Sequence, residues 1–118
     1  ETPLYLPQAK VYNQSCALGP WITLPVGMPP RERIGIRLSI ERKGTEVFAG
    51  DTSIAQMART FEDLIHWLTR ENSFPTGAFL LTGTGVVPDS NFTLQAGDRV
   101  DISIDGIGTL TNSVVQGT

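Results

Sequence analysis

Residues 34–49 read IGIRLSIERKGTEVFA, and this stretch decides the fold class. Its first half carries an apolar side chain at every second position, namely Ile34, Ile36, Leu38 and Ile40. An alternation of period two is typical of a strand with one buried face. Lys43-Gly44 supplies a plausible tight turn, so Thr45 to Ala49 is predicted to return as the second strand of a hairpin.

The same pattern recurs near the C-terminal end of the chain. Apolar residues alternate with polar ones from Val100 to Ile104, and Asp105-Gly106 follows them. Both residue types of this dipeptide tolerate positive φ, so it predicts a turn into a return strand from Ile107 to Val115. The short apolar run from Ala78 to Leu81 is predicted to be another strand.

One long amphipathic helix is predicted from about Ser53 to Arg70. Its apolar residues recur at spacings of three and four, which gathers them on one face: Ile54, Met57, Ala58, Phe61, Leu64, Ile65 and Leu68. The polar residues 51–53 are candidate N-caps, and Asn72 and Pro75 end the pattern. Residues 1–118 are therefore predicted to form a single α+β domain, a rolled or sandwiched sheet covered by one helix.

The composition excludes several classes of protein. With 118 residues, 40% hydrophobic and 18% charged, the chain lies in the ordinary range of a globular domain. A net charge of -3 without a run of like charges offers no surface for nucleic acid. Apolar stretches are far shorter than the about 20 residues of a membrane-spanning helix, so no membrane partner is expected.

Two further features concern location and completeness. Cys16 is the single cysteine and cannot form an internal disulfide, so a cytoplasmic location is predicted. The chain starts at Glu1 with no initiator Met and with neither the basic nor the apolar region of a signal peptide. We therefore expect it to be part of a longer protein.

Several reactive residue types receive structural rather than catalytic interpretations. His66 shares the polar helix face with Glu62 and Arg70, which favours a solvated position, and Cys16 next to Ala17 is interpreted as a buried small residue. One His and one Cys make no zinc site. In the acidic trio, Asp101 and Asp105 are expected on the water-facing side of a strand, and Asp98 in a turn that it shapes: no metal site is predicted there.

The turn Thr82-Gly83-Thr84-Gly85 and Lys10 are the candidate binding residues. The turn lacks the lysine and the following helix of a phosphate loop. It would bring a hydroxyl and backbone N–H groups together, which suits a carboxylate or carbonyl oxygen, although a plain glycine turn stays an alternative. Lys10 lies in an apolar, aromatic-flanked run, where it would either orient or protonate an oxyanion or extend its amine into solvent.

These motifs together resemble the fumarylacetoacetate hydrolase superfamily. The resemblance rests on four stretches in order across nearly the whole chain: KVYNQSCALGPWI at 10–22, LTGT at 81–84, LQAGDRV at 94–100 and IDGIGTLTN at 104–112. It implies a mixed β-roll, the C-terminal half of a catalytic domain, and a homodimeric enzyme that binds Mg²⁺, Mn²⁺ or Ca²⁺ through carboxylates.

The resemblance also implies roles for individual residues. It places Lys10 beside the metal and the substrate, and assigns Gly83 and Thr84 to the carboxylate end of a 2-oxo acid. The metal ligands of the superfamily lie upstream and have no counterpart in these 118 residues. The isolated chain is therefore expected to be inactive.

The subgroup is predicted from the first motif. Many acylpyruvase-type members read Lys-Ser-Phe-Asp there, whereas this chain reads Lys10-Val11-Tyr12-Asn13. Residues 5–20 are more similar to the 2-keto-3-deoxy sugar-acid (pentonate) dehydratases of the superfamily. Dehydration of such an acid is the first hypothesis, hydrolysis of a C–C bond in an acylpyruvate the second, and a non-catalytic binding or assembly module the third.

Overall fold

A four-stranded sheet forms the framework of residues 11–117, the part of the chain that the computed structural model describes. Its strands are β1 (Gly35–Arg42), β2 (Thr45–Ser53), β3 (Arg99–Ile104) and β4 (Gly108–Ser113). They pair antiparallel in the order β2-β1-β3-β4. The remaining elements are the helix α1 (Phe61–Thr69) and single 3-10 turns at Pro25–Gly27, Arg31–Arg33 and Ile54–Gln56.

The two predicted hairpins are confirmed. They pair with each other through β1 and β3, the two strands in which apolar and polar residues alternate. Ile36 pairs with Ile104, Leu38 with Ile102 and Ile40 with Val100. Residues directly opposite each other on antiparallel strands share a face of the sheet. The period-two patterns of β1 and β3 therefore combine into one apolar face, and the polar residues between them form the other.

Residues 84–94 cover part of this apolar face. Val86 is 9% exposed and packs against Gly50 of β2. Phe92 contacts Phe48 of β2, with their ring centroids 5.8 Å apart. A cavity of about 610 Å³ remains between this segment and the sheet, and Ile102 at its edge is still 36% exposed. The cover is thus incomplete within the described residues.

The prediction of one long amphipathic helix from Ser53 is wrong. Strand pairing runs further than the hydrophobic pattern suggests, because Gly35 pairs with Ser53 and the N–H of Ile54 donates to the carbonyl of Ile34 at 3.0 Å. The helix begins only after Thr60, whose hydroxyl accepts from the N–H of Asp63 at 3.1 Å. This N-cap satisfies one of the free N–H groups of the first turn.

The other elements differ from the prediction in smaller ways. Residues 78–81 form no strand, since no described strand lies beside them to supply hydrogen bonds, and Leu81 is 70% exposed. The return strand β4 is shorter than the predicted range 107–115. The α+β class is confirmed. Residues 11–117 contain a single antiparallel sheet, and no second sheet packs on it within that range to complete a roll or sandwich. Within the same range, no helix has the length and apolar character needed to cross a membrane.

Candidate functional site

A cavity of about 630 Å³ lies beside the Gly83-Thr84 turn. It is lined by Thr82 to Gly85, by residues between Thr52 and Arg59, and by the apolar ends of β1 and β3 at Ile36 and Ile104. We call this space the Gly83 cavity. Its volume is in the range of small-molecule sites.

Strand β2 holds the Gly83-Thr84 turn in place through two close approaches. A Cβ at Gly50 would lie 2.8 Å from Cγ1 of Val86, and a Cβ at Gly85 would lie 2.9 Å from Oγ1 of Thr52. Both distances are shorter than ordinary contact between such atoms. The turn therefore sits directly on the strand, and two glycines make that approach possible.

The hydroxyl of Thr84 is oriented by the backbone that follows it. Its Oγ1 accepts from the N–H of Val86 at 3.1 Å and lies 3.3 Å from the carbonyl oxygen of the same residue. The second distance is long for a hydrogen bond donated by a hydroxyl. The proton of Thr84 is thus available to a stronger acceptor, such as a carboxylate, that enters the cavity.

The backbone of the turn adds further donors. Gly83 has φ of 81°, the left-handed region that glycine adopts without strain, and no atom lies within 4 Å of where its Cβ would be. The N–H groups of Gly83, Thr84 and Gly85 donate to no other residue in the range 11–117. Together with the hydroxyl of Thr84 they can bind an oxyanion.

A buried ion pair fixes the chain near the other end of the covering segment. Asp98 is fully buried, and its two oxygens each lie 2.8 Å from a nitrogen of Arg42, at the end of β1. The N–H of Gln95 also donates to this carboxylate at 2.8 Å. The hydrogen bonds from Arg42, above all, lower the pKa of Asp98 to about 2. Asp98 is therefore a structural anion and not a proton donor at neutral pH.

The carboxylates of the acidic trio are held by hydrogen bonds within the sheet. Asp101 accepts from Thr111 and Arg99, and Asp105 accepts from Arg37 and from the N–H of Gly35. These hydrogen bonds lower the pKa of both carboxyl groups. No cluster of three or more His, Cys, Asp or Glu side chains suited to a metal exists among residues 11–117. The described residues do not form a metal centre by themselves.

The predicted site residues have different outcomes. Gly83 and Thr84 line the Gly83 cavity together, but Lys10 lies outside the described residues. The interpretation of Cys16 as buried is wrong: it is exposed, because residues 11–20 lie on the surface. His66 is exposed on α1 and stacks edge-on against its neighbour Trp67. Neither Cys16 nor His66 lines the Gly83 cavity.

Sequence reasoning missed the lining residues Gln56 and Arg59, because it assigned them to a helix. The signal that would have found them is Thr60-x-x-Asp63, an N-cap hydroxyl placed three residues before an acidic residue. A helix that starts after Thr60 leaves the preceding residues in a loop. That loop follows β2 and borders the cavity.

Comparison with known proteins identifies the family and similar dehydratases. The model of the fumarylacetoacetate (FAA) hydrolase C-terminal family matches residues 1–115. A probable 2-keto-3-deoxyxylonate dehydratase of Haloferax volcanii is 45% identical over 97% of this chain and 39% of that protein. A 2-dehydro-3-deoxy-D-arabinonate dehydratase of Saccharolobus solfataricus is 40% identical over 97% of this chain and 38% of that protein.

Solved structures are similar in fold as well as in sequence. A 2-keto-3-deoxy-D-arabinonate dehydratase complexed with magnesium and 2,5-dioxopentanoate superposes with a TM-score of 0.90 and 39% identity. The match covers 95% of this chain and 40% of that one. The chain thus spans about two fifths of the length of the relatives it matches. From the family match and these identities, the chain belongs to the fumarylacetoacetate hydrolase family, matching its C-terminal part.

Proposed function

We propose that the protein containing this chain dehydrates a 2-keto-3-deoxy sugar acid in a reaction that requires a divalent metal. The observation that carries the proposal is the Gly83 cavity, whose lining includes the hydroxyl of Thr84 and three N–H groups that donate to no other residue in the range 11–117. Identities of 45% and 40% to two sugar-acid dehydratases support the choice of reaction. Net loss of a C3 proton and of the C4 hydroxyl would release one water.

The residues of this chain would bind and orient the substrate. Thr84 would donate its hydroxyl proton to the substrate carboxylate, and the N–H groups of Gly83 to Gly85 would add further hydrogen bonds. This arrangement fixes one end of the acid, so that its C3 and C4 groups extend along the cavity. Lys10 is proposed to support the oxyanion that develops when the C3 proton leaves.

Three polar side chains in a lining that is otherwise largely apolar favour a hydroxylated substrate over an acylpyruvate. Thr52, Ser53 and Gln56 border the space, and Oγ1 of Thr52 donates to the amide oxygen of Gln56 at 2.8 Å. The amide nitrogen of Gln56 is then able to donate to a substrate hydroxyl. An apolar acyl chain would desolvate these groups without replacing their hydrogen bonds.

The metal belongs to the proposal for the whole protein. We propose that Mg²⁺, or Mn²⁺ or Ca²⁺ in its place, is held mainly by residues outside this chain; residues 11–117 do not form a metal site by themselves. The magnesium in the similar dehydratase structure supports this assignment. We also propose that the whole protein is a cytoplasmic homo-oligomer. The isolated 118-residue segment is proposed to have no dehydratase activity.

The proposed reaction is tested on the full-length protein with Mg²⁺ and a 2-keto-3-deoxypentonate, by following loss of the substrate C3 and C4 signals by NMR. Thr84→Val keeps the side-chain shape and removes the hydroxyl, so KM should rise about tenfold to a hundredfold. Thr84→Ser keeps the hydroxyl and should stay within a few-fold of the wild type. A wild-type protein that consumes no 2-keto-3-deoxypentonate in the presence of any of the three metals would refute the proposal.

A further inference from the structure

The Gly83 cavity has an unequal distribution of charge. Of the described residues that line it, Arg59 is the single charged one, and the others are apolar or neutral polar. Arg59 is exposed, so water partly screens its charge, but it is the one positive charge among described residues that an anion entering this cavity meets. The cavity is therefore electrostatically matched to an anionic ligand.

The backbone of Arg59 is fixed on both sides. Its carbonyl oxygen accepts from Nη2 of Arg31 at 3.4 Å, and the next residue, Thr60, caps α1. The guanidinium of Arg31 also stacks on the ring of Phe61, 4.8 Å from the ring centroid. These contacts hold the backbone of Arg59, and so the start of its side chain, at the cavity wall. Because this part is already fixed, less conformational entropy of the protein is lost when a ligand binds.

No described carboxylate forms an ion pair with Arg59, which lies in the loop after β2. By contrast, each of the three arginines in the sheet strands has a carboxylate partner: Arg37, Arg42 and Arg99. The planar guanidinium is suited to two parallel hydrogen bonds with a carboxylate. The same lining includes the hydroxyl of Thr84 and the N–H groups of the turn, which bring no formal charge.

We propose that Arg59 is the charge partner of the substrate carboxylate and so sets the preference of the site for 2-oxo acids over neutral carbonyl compounds. This inference deepens the function proposed above and rests on it for the identity of the substrate. Arg59 is a binding residue: it neutralises the carboxylate, while Thr84 and the turn orient it. Removing the charge should weaken substrate binding and leave the reacting atoms of the bound substrate in place.

The test compares Arg59→Gln with Arg59→Lys and with Arg33→Gln in the full-length protein with Mg²⁺. Arg33 is exposed on a nearby 3-10 turn and does not line the cavity, so Arg33→Gln removes the same charge from outside the site. Arg59→Gln should raise KM about tenfold to a hundredfold with kcat within a few-fold of the wild type. Arg59→Lys should recover part of the loss, and Arg33→Gln should behave as the wild type.

A second measurement separates recognition of charge from a general effect on structure. Calorimetry gives the affinity of each variant for 2-oxobutanoate and for its neutral amide, 2-oxobutanamide. The wild type should prefer the acid, and Arg59→Gln should lose most of that preference. An unchanged acid-to-amide ratio in Arg59→Gln overturns the inference, as does an unchanged KM.

The same two ligands distinguish failure of this inference from failure of the proposed function. If the wild type dehydrates no sugar acid but prefers 2-oxobutanoate, and Arg59→Gln abolishes the preference, the proposed reaction is wrong and the role of Arg59 holds. If the wild type is an active dehydratase and Arg59→Gln keeps both its KM and its acid preference, the reaction holds and the role of Arg59 is wrong.

Discussion

Gly50 leaves the space in which Val86 is buried, and through Val86 it determines where the hydroxyl of Thr84 lies. The N–H of Val86 donates to Oγ1 of Thr84, so a displaced Val86 moves the hydroxyl as well. Gly50 lies inside β2 and does not have a positive φ. A substitution there acts through space rather than through backbone strain.

Gly50→Ala is therefore expected to raise KM for the 2-oxo acid and to lower the free energy of unfolding. The added methyl would lie 2.8 Å from Val86 and 3.3 Å from Phe48, an overpacking that typically costs about 1–3 kcal/mol. Urea denaturation and steady-state kinetics of the full-length protein measure the two effects.

Adding Val86→Ala to Gly50→Ala removes the clashing methyl groups, so the double variant should have a lower KM than Gly50→Ala alone. This recovery distinguishes displacement of Thr84 from unrelated damage to β2. A KM for Gly50→Ala equal to that of the wild type would contradict the positioning role of Val86.

The residues of the candidate site could be predicted in part. The Gly83-Thr84 turn was found from sequence because its glycines and hydroxyl are local features. Arg59 was missed because its role depends on where α1 begins, and the three-four spacing of apolar residues continued across that boundary. The pair of Gly50 and Val86 was missed since the two residues are distant in the chain.

At the level of elements, Arg42 and Asp98 connect the end of β1 to the start of β3. The guanidinium binds both carboxylate oxygens, donates to the carbonyl of Thr93 at 3.0 Å and lies 5.8 Å from the ring centroid of Phe92. One ion pair thus holds two strands and the segment that covers the apolar face. The sequence interpretation of Asp98 as a turn residue missed this partner, 56 positions away.

The stability of the sheet should decrease when Asp98 is protonated. Its pKa is lowered to about 2 in the folded state, from about 4 in an unfolded chain. A carboxyl group with a lowered folded pKa contributes stability above its unfolded pKa and loses it as the pH falls through the folded one. The loss should therefore develop between about pH 4 and pH 2.

Thermal unfolding of the full-length protein measures this dependence, with Asp98→Asn as the comparison. The variant leaves Arg42 without its charge partner and should lower Tm by on the order of 5 °C at pH 7. The pKa values of Asp101 and Asp105 are also lowered, so both residues contribute to the loss of stability in acid. They are present in the wild type and in Asp98→Asn, so their contribution cancels in the difference between the two. If the difference in Tm between wild type and Asp98→Asn stayed constant from pH 7 to pH 2, the ion pair would not be the acid-sensitive element.

The hairpins and the helix show why some elements were easier to predict than others. The alternations of β1 and β3 were recognised because each strand buries one face locally. The end of β2 and the start of α1 depend on pairing with β1 as far as Ser53, a contact between distant residues. Residues 78–81 look like a strand by composition, but a strand also needs a neighbour to accept its hydrogen bonds.

At the scale of the whole chain, the described residues leave much apolar surface uncovered. Among them, the apolar side chains exposed by 9% or less are Ile34, Ile40 and Val86. By contrast, Val26 is 94% exposed and Ile22 is 75% exposed. Exposed apolar side chains this close together in the chain favour binding of apolar molecules or self-association.

The isolated 118-residue segment is therefore expected to enhance the fluorescence of the apolar dye ANS and to elute from gel filtration above the size of a monomer. The double variant Ile22→Ser with Val26→Ser should reduce both effects. Val47→Ser, at a residue 39% exposed, should change them little. If the chain is part of a protein as long as its relatives, that full-length protein should bind less dye per chain, because its additional residues would cover this surface. If the isolated segment stays monomeric and binds no ANS, the prediction is wrong. Residues 1–118 would then cover their own apolar surface, contrary to the exposure of Ile22 and Val26.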